Sequence, residues 1–192
     1  MLIEAGNQRS VMSLARDVGV IILGTLLLAI SAKVVVPFYP VPMTTQTLVV
    51  LCLGLFLGPV RAGATVAVYL FEGLMGLPVF AGTPPAVAGP AYLLGPTGGY
   101  LIGFLLCAVV SGFVAQRLSG TRPVSGAFLA VLSGSIAIYM PGLAWLGSFL
   151  GYDEKLLAAG LYPFVSGDVT KAAIACVLFM IFRDSHVMRR IR

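Results

Sequence analysis

Apolar residues run along this chain in long stretches, and the polar interruptions fall at intervals suited to membrane helices. Six apolar runs are legible. The first extends from about Val18 to Val36 and ends in a proline-rich turn, Pro37, Pro40 and Pro42. The second, Thr44 to Gly58, is short. The third runs from Ala62 to Phe80, the fourth from Gly99 to Gln116, the fifth from Val124 to Leu150 and the sixth from Leu161 to Phe182. A helix needs about 20 apolar residues to cross the hydrocarbon layer, whereas a barrel strand needs about half as many and alternates in polarity. The fifth run exceeds what a bilayer requires, so it is expected to tilt or to kink at Pro141. The pattern predicts an all-α integral membrane protein, six transmembrane helices in one bundle. It forms a single membrane domain over 1–192, with an N-terminal segment 1–17 and a basic tail 183–192.

One connection stands apart. The stretch from Gly76 to Gly99, GLPVFAGTPPAVAGPAYLLGPTGG, holds too many glycines and prolines for an uninterrupted helix, yet it carries no charge. An ordinary surface loop would be shorter and more polar. Irregular backbone of this composition is tolerated at membrane depth when it lines a cavity. The stretch therefore reads as a Gly/Pro-rich outer loop that acts as a lid.

Composition agrees with the pattern: 59% of the 192 residues are hydrophobic and 10% charged, against about 25% charged in a soluble domain. Mean hydropathy is +1.02. The net charge of +5 does not indicate nucleic acid, because the basic residues lie between and beyond the apolar runs and form no stripe. Their placement sets orientation instead. Arg9, Arg16, Arg61, Arg117, Arg122, Arg183, Arg189, Arg190 and Arg192 fall on the side of both termini, against Lys33 and Lys155 on the other. By the positive-inside rule both termini are expected to be cytoplasmic. Met1 to Asp17 carries four charges and the first apolar run is long enough to span, so no cleaved signal is expected. Cys52, Cys107 and Cys176 lie within apolar runs, read as small buried hydrophobes, and His186 sits in the basic tail.

Chemistry enters with the sixth run. Asp168 and Lys171 stand three residues apart in an otherwise apolar helix, so they share a face. Each charge within a span costs roughly 2.5–3.5 kcal/mol of insertion energy, which marks a site or a pathway. Asp168 lies seven residues into the run, about 10 Å below its outer start. The pair thus faces the outer half of the bilayer. Glu72, near the middle of the third run, is open to three readings: a protonated structural group, a partner of Lys171, or a polar interface. For the pair itself the alternatives are an ion pair that only orders the bundle, an intramembrane enzyme, and a proton-coupled permease. The enzyme reading has no Ser/His or Cys/His set and no metal-ligand cluster behind it. No Walker A loop is present, so the chain carries no ATPase of its own.

Four strings now fix a resemblance: PFYPVPMTTQTL (Pro37 to Leu48), GLPVFAG (Gly76 to Gly82), AYLLGPTGGYLIGF (Ala91 to Phe104) and SGDVTKAA (Ser166 to Ala173). In this order and spacing the chain resembles BioY, the biotin-specific S components of energy-coupling factor (ECF) vitamin transporters, over nearly its whole length. The resemblance implies six helices and high-affinity capture of biotin from the outer face of a bacterial cytoplasmic membrane. It further implies docking to a transmembrane coupling protein and a pair of cytoplasmic ATPases, which some members are described as doing without. It places the family's acid and base on Asp168 and Lys171. Biotin is then the ligand, with no cofactor and no metal. Tyr92, Tyr100 and Phe80 are the expected apolar walls, and Thr45 and Gln46 the further hydrogen-bonding groups.

Two departures accompany the resemblance. Some relatives carry a polar residue after the LPV element and an arginine after GGY. Here the loop reads Gly82-Thr83-Pro84-Pro85, and Leu101 follows Tyr100. S components also dock their coupling protein through small residues spaced along the first helix. The corresponding pair here is Ala15 and Gly19, with Gly24 beyond.

Overall fold

The computed structural model describes residues 2–84, 88–118 and 120–185. His186 and most of the basic tail, like Pro85 in the outer loop, lie outside the described residues. Helix α1 (Leu2–Ser31) is followed by a two-stranded antiparallel hairpin, β1 (Val35–Val36) and β2 (Met43–Thr44), paired Val35 to Thr44 and Val36 to Met43. Then come α2 (Gln46–Leu74), a short α3 (Pro90–Leu93), α4 (Gly98–Leu118), α5 (Pro123–Leu150), a second short helix α6 (Glu154–Gly160) and α7 (Tyr162–Phe182). Five helical stretches among the described residues are long and apolar enough to cross a membrane.

The second of those stretches is two helices, not one. At Gly58 the backbone turns to φ 75°, ψ 175°, a left-handed region that suits a residue without Cβ, and Pro59 starts the return arm. Gln46 Nε2 donates to Tyr69 Oη at 2.7 Å. In a straight helix those residues would stand roughly 35 Å apart. The α2 hairpin therefore supplies the second and third helices of a six-helix bundle, the architecture read from the sequence. Its return arm ends at Leu74 rather than at Phe80, because Gly73, Gly76 and Pro78 withdraw helix support there. Likewise α1 stops at Ser31, and Val35–Val36, expected within the first span, pair as a strand instead. The expected boundaries of the last three spans stand within one to two residues of α4, α5 and α7.

Packing follows side-chain size. α4 lies centrally, against α2 on one side and α5 on the other. A Cβ added at Gly103 would fall 2.6 Å from Ile138 O, and one at Gly112 would fall 2.6 Å from Pro59 N. Small residues let these backbones approach without a hydrophobic drive between helices, as membrane bundles require. α1 buries one stripe, Gly24, Thr25, Leu28 and Ser31, spaced at three-to-four-residue helical intervals and continued by Ala32 just past its end. Its other face, including Leu23, Leu27 and Ile30, is exposed and apolar, as contact with lipid demands. At one end Arg61, beside the α2 turn, reaches Asp17 of α1 at 3.0 Å. The opposite end carries the β hairpin and the segment around Phe80, and there the site lies.

Candidate functional site

Three helices bring polar groups together at that end. In α7, Asp168 and Lys171 form the expected i, i+3 pair, with Lys171 Nζ donating to Asp168 Oδ1 at 2.8 Å. The first arm of α2 contributes Thr47, whose hydroxyl accepts from Lys171 Nζ at 3.0 Å and donates to Asp168 Oδ1 at 3.3 Å. From α5, Tyr139 donates to Asp168 Oδ2 at 2.5 Å. The pair is nearly buried, the Lys171 and Asp168 side chains being 11% and 14% exposed. Ions in so dry a setting require partners, and here each has them.

The hydrogen-bond inventory is not exhausted. An ammonium has three N–H groups and two are taken; a carboxylate has about four acceptor positions and three are taken. Asp168 and Lys171, with this capacity left, line a partly open cavity. Such a site presents a donor and an acceptor side by side with no net charge. It suits a neutral group that is itself both donor and acceptor.

The cavity walls are mostly apolar. Tyr100 uses its hydroxyl on Gly160 O at 2.8 Å. Its ring meets Tyr139 edge-on at 6.4 Å and stacks with Phe164 at 6.3 Å. Phe104 and Ile138 also line the space. Gln46, held by its bond to Tyr69, lines it from α2, and the β1–β2 hairpin brings Val41 and Pro42 from its turn and Met43 and Thr44 from β2.

The roof comes from the glycine- and proline-rich connection. Ala81, Tyr92 and Thr97 line the cavity, and Phe80 lies beneath Tyr92, fully buried and stacked on its ring at 4.9 Å and 22°. Phe80 fits because Gly73 offers no side chain: a Cβ there would fall 2.0 Å from the Phe80 ring. Burial pushes the Tyr92 hydroxyl above its usual pKa, with a hydrogen bond from Thr97 opposing the shift.

Of the residues singled out in the sequence, Asp168, Lys171, Gln46, Tyr92 and Tyr100 meet at the cavity. Phe80 supports the wall from behind. Thr45 does not reach the cavity; its hydroxyl donates to Ser31 O at 3.0 Å and ties the start of α2 to the end of α1. Lys171 bonds Asp168 and Thr47, so Glu72 is not its partner; Glu72 is half-buried on the return arm of α2. Thr47, Thr97, Tyr139 and Phe164 were not foreseen. For Tyr139 a signal existed, since a phenol in the middle of an apolar span needs a hydrogen-bond partner. Ala15 and Gly19 share an exposed face of α1, and a Cβ added at Gly19 would meet nothing within 4 Å.

Comparison with known proteins agrees with this geometry. The model of the BioY family matches residues 6–186. A probable biotin transporter BioY from Pyrococcus horikoshii is 34% identical over 164 residues, 85% of this chain and 94% of that protein. The biotin transporter BioY of Thermotoga maritima is 33% identical over 169 residues, 86% of this chain and 94% of that protein. A solved structure, the S component for biotin from an ECF-type ABC transporter, superposes with a TM-score of 0.75 at 26% identity. The match covers 93% of this chain and 94% of that one.

Proposed function

This chain belongs to the BioY family, and from that membership together with the site geometry we propose that it captures biotin as the substrate-binding S component of an ECF-type transporter. The observation that carries the reading is the convergence of Asp168, Lys171, Thr47 and Tyr139, from three helices, on one otherwise apolar cavity. Biotin's ureido ring offers two N–H donors and a carbonyl acceptor. An ion pair complements both: Asp168 accepts from ureido N–H and Lys171 donates to the carbonyl. The valerate anion gains little beside a pair of zero net charge and is repelled by Asp168, so it lies away from the pair. The bicycle and chain rest on Tyr92, Tyr100 and Phe164.

The chain is a multi-pass membrane protein. We place the Arg61 end in the cytoplasm and the cavity on the outer side of a bacterial cytoplasmic membrane, following arginine distribution. The exposed Ala15 and Gly19 face of α1 is the assigned docking surface for the coupling protein, which in turn engages the ATPase pair. The test is equilibrium binding of labelled biotin to the purified, detergent-solubilised chain without partners. Tight one-to-one binding supports the reading. Absence of binding with helical content intact refutes it.

A further inference from the structure

Lys33 stands at an exposed position two residues after Ser31, the last of α1. Its ammonium is nonetheless fully engaged by a segment 45 to 50 residues away. Nζ donates to Pro78 O at 2.6 Å, to Phe80 O at 2.9 Å and to Thr83 O at 2.5 Å, with Thr83 Oγ1 at 3.4 Å. Three carbonyls therefore take the three N–H groups of one ammonium. Thr83, itself buried, closes the turn by donating its hydroxyl to Phe80 O at 2.8 Å. Carbonyl oxygens converge in this way only around a cation or a cluster of donors, since otherwise their dipoles repel one another.

The placement matters because Lys33 joins two covers of the cavity. Immediately after it, the β1–β2 hairpin delivers Val41 to Thr44 to one rim. The segment it grips holds Phe80, which supports Tyr92 from beneath, and Ala81, which lines the space. A second, weaker tie runs through the core, from Gln46 to Tyr69 and from Tyr69 Oη to Val79 O at 3.1 Å.

We propose that Lys33 is a positioning residue: its ammonium pins the two outer connections to each other and thereby keeps the roof closed over the bound ligand. It touches no ligand itself. Hydrogen bonds to a charged group are about twice as strong as neutral ones, so removing three together should free the roof. The effect on a bound ligand rests on the biotin reading above, whereas the pin itself does not. Two measurements separate them. The first is hydrogen–deuterium exchange of the amides in 76–84 in the ligand-free protein. The second is the dissociation rate of labelled biotin.

In Lys33→Met the exchange of that segment is expected to rise and dissociation to quicken about tenfold or more, with association little changed. Lys33→Arg keeps the charge but offers a planar fork in place of three diverging donors, so it should also quicken dissociation, by less. A role limited to attracting the biotin anion predicts the opposite pattern: slower association in Lys33→Met and native behaviour in Lys33→Arg. That pattern would overturn the proposal. Unchanged exchange in 76–84 would overturn it too, as would faster exchange with unchanged dissociation. If Lys33→Met does not assemble, Lys33→Gln retains two donors and is judged by the same criteria. Should the native chain bind no biotin, the functional reading fails, and exchange alone decides the pin.

Discussion

The Asp168–Lys171 pair either binds ligand or merely orders the bundle, and a double-mutant cycle separates the two. At 2.8 Å the direct attraction is about 6 kcal/mol for an effective dielectric constant of 20. Desolvation of two nearly buried ions offsets most of it, so the intact pair adds little net stability. Removing one member is different. Lys171→Met leaves the Asp168 carboxylate with only the Tyr139 and Thr47 hydroxyls as donors. Asp168→Asn leaves the Lys171 ammonium with Thr47 and an amide. Each is expected to lose about 3–5 kcal/mol of stability, Asp168→Asn toward the lower end. With both charges gone, the double variant should recover most of that loss, because no unpaired ion remains.

Binding should not follow stability. If biotin's ureido group lies on these two side chains, each single variant weakens affinity by roughly 30-fold to several thousand-fold, corresponding to about 2–5 kcal/mol. The double variant, although stable again, should remain at least about 30-fold weaker than the native chain, since it lacks the same ligand contacts. Unfolding in detergent can be followed by the fluorescence of Trp145, the one tryptophan, whose indole donates to Gly95 O at 2.9 Å. Affinity is read by equilibrium binding of labelled biotin. A double variant that binds biotin as the native chain does would refute the reasoning and make the pair a device of assembly alone.

Tyr139→Phe removes one charge-assisted hydrogen bond to Asp168 while keeping the ring that meets Tyr100. It should weaken biotin binding by about tenfold to a hundredfold, read by calorimetry, and cost about 1.5–3 kcal/mol of stability, less than loss of Lys171. Gly112→Ala forces a methyl against the backbone of the α2 turn, 2.6 Å from Pro59 N. It should cost about 1–3 kcal/mol, read as a lower unfolding temperature, while the affinity of the protein that remains folded is unchanged. Gly19→Trp adds bulk where nothing lies within 4 Å. It should preserve biotin binding and abolish co-purification with the coupling protein; retention of the partner would remove Ala15 and Gly19 from the docking surface.

Hydropathy located the C-terminal ends of α4 and α7 well, where a charged residue bounds the apolar run. Arg117 and Arg183 stand at the ends of α4 and α7, and those ends were legible to within two residues. It failed where an apolar run continues past the helix. Val79 and Phe80 are as hydrophobic as any lipid-facing residue, yet they belong to an irregular segment whose surroundings are protein. Burial in protein and burial in lipid select the same side chains, so hydropathy cannot separate them. Backbone chemistry can: Gly73, Gly76 and Pro78 mark the end of the α2 return arm, and the β-branched run Val34 to Val36 favours a strand over a last helical turn.

The site divides along a similar line. Asp168 and Lys171 stood out because a charge within a span is costly whatever surrounds it, so sequence position alone carries the signal. Thr47 and Tyr139 are neutral. A threonine in a helix can bond its own preceding turn, as Thr65 does to Arg61 O and Thr170 to Ser166 O, so its presence implies no distant partner. Only the approach of α2 and α5 to α7 turns these hydroxyls toward the carboxylate. Lys33 is the converse case. Near the outer end of the first run, its charge indicated only orientation, while its significance rests on three carbonyls placed around it, just beyond α1, by a segment more than forty residues away. In a bilayer protein, then, sequence exposes the groups that are difficult to place, and the fold is needed to show which ordinary groups hold them.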